Sequence, residues 1–174
     1  MSKIICVVMA VIVAVACAVG AFGQTKAKFV SQDGGFTIDL PREGYQGLEP
    51  IGDVNSGAGT YAWVTDDGQF SVSYLEGAFS IQSAESSLEK LADVIISSPA
   101  NRQATILSRQ KFVTNGNLMI ELRIKRPTGT AINRLVMVKR RLYVITADWT
   151  EGNGNNAEQV LNSFELVDRR GLTA

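Results

Sequence analysis

The stretch TILSRQKFVTNGNLMIELRIKR, residues 105–126, decides the fold. Two runs rich in apolar and β-branched residues flank Asn115-Gly116. Asn-Gly between such runs is a strong hairpin signal, because both central positions of a type I′ turn take positive φ. The pattern predicts strands over Thr105–Val113 and Leu118–Lys125. Downstream, Ala131–Val138 and Leu142–Trp149 read as a second hairpin turning at Lys139-Arg140-Arg141. Upstream, Tyr61 and Trp63, then Phe70, Val72 and Tyr74, alternate with small or polar residues about Thr65-Asp66-Asp67-Gly68, and Asp-Gly marks a third hairpin. Phe36, Ile38 and Leu40 alternate with Thr37 and Asp39 between the Asp33-Gly34-Gly35 turn and Pro41, the period of a half-buried strand. Lys26 to Val30 reads as a polar lead-in, and residues 42–58 as a glycine- and proline-bearing loop.

Two segments change period. Ala84, Leu88, Leu91, Ala92 and Ile95 share one helical face, with Ser83 placed as N-cap, Glu85 in the first turn and Pro99 beyond the stop. Ala157, Val160, Leu161 and Phe164 predict a short final helix capped by Asn155 or Asn156. The order is strands, helix, four strands, helix, and the short connections between strands require antiparallel pairing. The expected fold is α+β, a largely antiparallel central sheet flanked by helices. The aromatic residues on the strands are expected in the core.

The chain has 174 residues, 45% of them apolar, with a formal net charge of zero. Residues 1–23 have the layout of a secretory signal peptide: Lys3, an apolar run from Ile4 to Val19, then small residues at Ala21 and Gly23. The run is short for a membrane span of about 20 residues. Cleavage before Gln24 leaves residues 24–174 as one α+β domain, exported to the periplasm or the exterior. Lipid attachment at Cys17, after Ala14-Val15-Ala16, is the alternative route to the membrane.

There is no histidine, and both cysteines, Cys6 and Cys17, lie in the leader. The mature chain therefore has no Ser-His-Asp triad, Cys-His dyad, Cys/His zinc site or disulfide. Asp66 and Asp67 lack the spacing of a calcium loop, and the glycines of residues 52–59 do not sit between a strand and a helix as a phosphate loop must. No metal, cofactor or catalytic residue is assigned. Carboxylate-dependent hydrolysis of an envelope polymer through Asp148 and Glu151, which flank Trp149, is the enzymatic alternative.

Charge is segregated along the chain. Phe29 to Ser108 carries eleven acids and three bases, whereas Arg109 to Arg141 carries nine bases and one acid. The nine are Arg109, Lys111, Arg123, Lys125, Arg126, Arg134, Lys139, Arg140 and Arg141. Arg109, Lys111, Arg123 and Lys125 occupy odd positions and Ile120, Leu122 and Ile124 even ones, which suggests a basic face opposite the apolar one. Such a face suits an anionic envelope component or an acidic protein surface. The near-neutral mature chain and its export argue against nucleic acid.

Four segments carry a family resemblance. Phe36-Thr37-Ile38-Asp39-Leu40-Pro41 is similar to the opening strand of small secreted bacterial proteins of the PsbP-like fold. Gly116 to Ile124 resembles their mid-chain hairpin, Arg141-Leu142-Tyr143-Val144-Ile145 their "R-L-Y" strand, and Val160 to Leu166 their closing segment. The resemblance spans about residues 29–167 and departs at Leu118-Met119-Ile120, where small residues are the family pattern. It implies a central antiparallel sheet flanked by helices. It also implies an accessory or binding role of the kind played by photosystem extrinsic subunits and by a nuclear-transport cofactor, and it supplies no catalytic set. The expected function is an exported, non-catalytic binding or accessory module whose partner meets the basic hairpin face or the 42–58 loop. Self-association through exposed strand edges is a further alternative.

Overall fold

The structure, a computed structural model, describes residues 26–41, 57–65, 68–77, 83–150 and 154–167. Residues 1–25 with Cys17, the 42–58 loop up to residue 56, Asp66, Asp67 and Glu151 lie outside these residues.

Among the described residues, nine strands and two α-helices follow in the order β1 (Lys26–Ser31), β2 (Phe36–Pro41), β3 (Ala58–Thr65), β4 (Gly68–Glu76), α1 (Ala84–Ile96), β5 (Thr105–Thr114), β6 (Asn117–Arg126), β7 (Gly129–Val138), β8 (Arg141–Trp149), α2 (Gly154–Asn162) and β9 (Glu165–Leu166). Every pairing is antiparallel. The large sheet has the order β3-β4-β8-β7-β6-β5 and a small one the order β1-β2-β9. The β3–β4 hairpin thus docks on β8 rather than on β5, leaving β5 as an edge.

Side-chain alternation splits the core into two layers. On one face of the large sheet, Ile132, Val136, Tyr143, Ile145 and Ala147 pack with Phe36, Ile38 and Leu40 of β2 and Ala157, Val160 and Leu161 of α2. On the other face, Ile120, Leu122, Ile124, Leu135, Met137 and Leu142 pack with Leu88 and Ala92 of α1, both fully buried. The result is an α+β sandwich with the six-stranded sheet in the middle.

The aromatic residues expected inside are there. Tyr61, Trp63, Phe70 and Tyr74 are buried, and Trp149 is half-buried against them. Phe29 sits 5.0 Å from Trp63 and 5.2 Å from Tyr61, ring to ring. That contact explains one difference from expectation. Lys26–Ser31 pairs along its whole length with β2, because Phe29 has a core site to fill while Lys26 and Lys28 stay exposed.

The Asn115-Gly116 turn has φ of 49° and 74°, the left-handed pair that a type I′ hairpin needs. Ser83 occupies the N-cap position of α1 but makes no side-chain capping bond. The C-terminal end is closed by Asn101, whose Nδ2 donates to the Ile95 carbonyl at 2.7 Å. The final helix ends at Asn162, so Phe164 lies beyond it. There its ring stacks 5.5 Å from Phe36 and meets Tyr143 edge-on at 5.7 Å.

Candidate functional site

The nine bases do not form one face. A two-residue turn pairs residues whose numbers have opposite parity, so Lys111 lies opposite Ile120 and Arg109 opposite Leu122. Arg109 and Lys111 therefore share the α1 face, while Arg123 and Lys125 point to the other. The expectation that strand alternation would gather these four is corrected on this point: parity inverts across the Asn115-Gly116 turn.

On the α1 face, the helix supplies acids to both bases. Arg109 Nη1 donates to Asp93 at 2.7 Å and its Nη2 pairs with Glu89, while Lys111 pairs with Glu85 and lies 3.5 Å from Glu89. The acidic and basic halves of the chain face each other here. Both bases are held above their usual range. For Arg109 the largest cause is its hydrogen bond with Asp93; for Lys111 it is the one with Glu85. These pairs are exposed, and such pairs contribute little to stability.

The opposite face holds a denser network around Glu121, which is 5% exposed. Arg123 Nε donates to its Oε1 at 2.9 Å and Arg134 Nε to its Oε2 at 2.8 Å. Arg123 also reaches Glu158 of α2 at 2.6 Å, and Arg134 Nη2 reaches Asn162 Oδ1 at 2.8 Å. Burial, the largest single influence on Glu121, pushes its carboxyl upward. The hydrogen bonds from Arg134 and Arg123, with their charges, outweigh it and hold the group below the usual carboxylate range. Glu121 is thus fixed as an anion and is unsuited to general-acid chemistry, which needs a raised pKa.

The remaining bases are scattered. Arg126 donates from Nε to Asn101 Oδ1 at 2.8 Å and pairs with Asp148. Arg141 donates from Nη1 to the carbonyls of Gly34 at 2.7 Å and Asp33 at 3.0 Å, pairs with Glu76, and lies 5.1 Å over the Tyr74 ring. It clamps the β1–β2 turn to the large sheet, together with Tyr143, whose hydroxyl donates to Gly34 at 2.8 Å. Lys125 lies opposite Thr105 and Thr130. Lys139 and Arg140 are exposed at the β7–β8 turn. Among the described residues, no three His, Cys, Asp or Glu side chains come together in a metal-holding group.

A cleft of about 620 Å³ opens where α2 and β9 end and the β5–β6 hairpin continues uncovered. Its floor is read from the register in three rungs: Arg134 beside Glu121; then Phe112, Met119 and Val136; then Thr114 beside Asn117. Leu161, Asn162, Phe164, Glu165 and Leu166 form the opposite wall. The volume falls within the usual range for small-molecule sites, about 300–1,000 Å³. Of the bases singled out in the sequence, only Arg134 lines it. The apolar rung was hidden from sequence reading because it draws one residue from each of three strands. The departure noted at Leu118-Met119-Ile120 places Met119 in that rung, and this was the one available signal.

No family model and no curated protein matches the chain. Among solved structures, the solution structure of cyanobacterial PsbP (CyanoP) from Synechocystis sp. PCC 6803 is similar over 84% of this chain and 95% of its own. The TM-score is 0.56 at 12% sequence identity. A crystal structure from Bacteroides thetaiotaomicron VPI-5482 matches 84% of this chain and 50% of its own, with a TM-score of 0.44 at 15% identity. The likeness to cyanobacterial PsbP establishes a PsbP-like fold, in accord with the four sequence segments that suggested it.

Proposed function

We propose that this chain is an exported, non-catalytic binding or accessory module, and that its ligand or partner is held in the cleft between α2–β9 and the β5–β6 hairpin. The observation that carries this reading is Phe112, half-exposed at the mouth of a 620 Å³ cleft with a polar rim, above Met119 and Val136, which belong to the core. An antiparallel sheet can leave part of a face to water, but it then presents polar side chains there. Apolar residues in a concave open site are what a binding surface offers.

Export is supported by the sequence of residues 1–23, and among the described residues no helix is long and apolar enough to cross a membrane. The PsbP-like fold is compatible with an accessory role, although fold alone does not fix function. The basic residues support the reading less directly than their number suggests. Most are occupied by acids of the same chain, and Arg134 is the one that borders the cleft. Asp148, one of the two carboxylates of the hydrolytic alternative, is paired with Arg126.

The test is native mass spectrometry of the protein recovered from its own envelope fraction, beside a Phe112→Glu variant. Phe112 is 38% exposed, so the substitution changes the mouth of the cleft without emptying the core. A mass carried by the parent and missing from the variant supports the placement. A mass carried equally by both removes the cleft from consideration. Hydrolysis of an envelope polymer that Asp148→Asn abolishes would overturn the non-catalytic part.

A further inference from the structure

We infer that the occupant of the cleft is an apolar molecule ending in a single carboxylate, and that Arg134 receives that carboxylate. This rests on the cleft being the binding site proposed above, and it names what the site selects. The floor changes chemistry along its length, from a charged rung at Arg134, through the apolar rung of Phe112, Met119 and Val136, to neutral Thr114 and Asn117 at the hairpin end. Leu161 and Phe164 extend the apolar part up the wall. A ligand lying along this trough is apolar through its middle and meets charge at one end only.

What waits at that end is a donor. Arginine has N–H groups and no acceptor. Among the described residues, Arg134 Nε is bound by Glu121 and Nη2 by Asn162, while Nη1 donates to no protein group. Glu121 is not among the residues lining the cleft, and each of its oxygens already accepts from a guanidinium, Arg123 or Arg134. The network is balanced overall, two guanidiniums against Glu121 and Glu158, but Glu158 sits with Arg123 and neither carboxylate lines the cleft. Arg134 is therefore the charged member of the network that meets a ligand there. Glu165 is the one carboxylate among the described lining residues; its side chain is 67% exposed and 3.6 Å from Lys28, so its charge is met in solvent on the far wall.

The alternatives fit worse. A cationic head group would face Arg134 directly. A wholly apolar molecule would lie against the Arg134 guanidinium without offering it an acceptor, and a donor cut off from water and left unpaired is costly. A carboxylate satisfies it with charge-assisted, geometrically matched hydrogen bonds.

The test is calorimetric titration of the purified protein with decanoate and, separately, with decan-1-ol, which shares the chain and lacks the charge. Decanoate is expected to bind about tenfold or more tightly than the alcohol. Arg134→Gln should bring decanoate down to the affinity of decan-1-ol, and Phe112→Glu should weaken both while leaving the Arg134 network in place. The comparison of the two ligands on the unaltered protein stands even if Arg134→Gln does not fold. Equal affinity for both, lost in Phe112→Glu, overturns the carboxylate assignment and keeps the cleft as a binding site. Decanoate binding that survives both substitutions lies elsewhere on the chain and overturns the inference together with the placement. Binding of neither ligand up to about 1 mM overturns the inference alone, because the mass-spectrometric comparison decides the cleft independently.

Discussion

Replacing Glu121 by Gln is the sharpest probe of the network that shapes the site. The substitution keeps the size of the side chain and removes its charge, leaving two guanidiniums facing a neutral amide. Removing one partner of a fully buried ion pair costs about 3–5 kcal/mol. Here the cost is smaller, because Arg123 is 34% exposed and keeps Glu158, and Arg134 is 14% exposed and keeps Asn162. The expected loss is about 2–3 kcal/mol. At this chain length that corresponds to a fall of about 5–10 °C in Tm. Urea denaturation followed by tryptophan fluorescence measures it, since Trp63 lies in the core.

The pH dependence adds a second constraint. The carboxyl of Glu121 is held below its unfolded value, so its contribution is complete above the unfolded pKa of about 4.3. It declines as pH falls through the folded pKa. The gap between parent and Glu121→Gln should therefore be constant near neutrality and close in acid. A variant that unfolds with the parent at pH 7, or a gap that widens in acid, would refute the account of Glu121 as a compensated buried anion.

Three further outcomes follow from the same packing. Arg109→Gln should leave the urea midpoint nearly unchanged, because its pairs with Glu89 and Asp93 are exposed, and a large loss would show that the α1–β5 ion pairs fix the helix. Thr146→Val should cost about 1–3 kcal/mol by urea denaturation, since it strips the buried Asn133 Oδ1 of its 3.1 Å partner, whereas adding Asn133→Leu should recover most of the loss. Gly34→Ala should destabilise by about 1–3 kcal/mol, because a Cβ there would stand 2.5 Å from the Phe36 ring and 2.6 Å from Ser31 Oγ. A thermal melt equal to the parent's would mean that the β1–β2 turn yields more readily than its contacts suggest.

The readable parts of this fold were those set by local chemistry. Asn115-Gly116 announced the central hairpin because few residues accept two successive positive φ values, and the apolar period of residues 84–95 announced α1. β1 was missed because Lys26 and Lys28 mask the one residue, Phe29, that gives the strand its core contact. The basic face was misread for a geometric reason. Alternation holds within a strand, but its phase across a hairpin depends on the turn length, and two residues invert it. Count and sign of the charges were plain in the sequence. Their neutralisation was not, because Glu85, Glu89 and Asp93 reach Arg109 and Lys111 only once α1 packs across the β5–β6 hairpin.

The cleft is a consequence of unequal cover. On one side of the large sheet, α1 packs on β6 and β7 through Leu88 and Ala92, and its acids reach across to β5. On the other side, the small sheet and α2 cover β3, β4, β8, β7 and, at Met119, part of β6, and they leave Phe112 of β5 38% exposed. A sheet face left open in this way must become polar or bind something. Along β6 the chain does both. At the rung of Glu121, Arg123 and Arg134 continue the cover as a lattice of ion pairs tied to α2 through Glu158 and Asn162. One rung further toward the hairpin turn, the polar lattice ends and Phe112, Met119 and Val136 take its place, while the wall of Leu161 and Phe164 still stands beside them. The ion-pair lattice therefore ties Arg134 to Glu121 and Asn162 and, through Arg123, to Glu158. It fixes Arg134 at the end of an apolar trough and, among the described residues, leaves one of its nitrogens without an acceptor. Glu121, which does not line the cleft, bears on it through the hydrogen bond it accepts from Arg134.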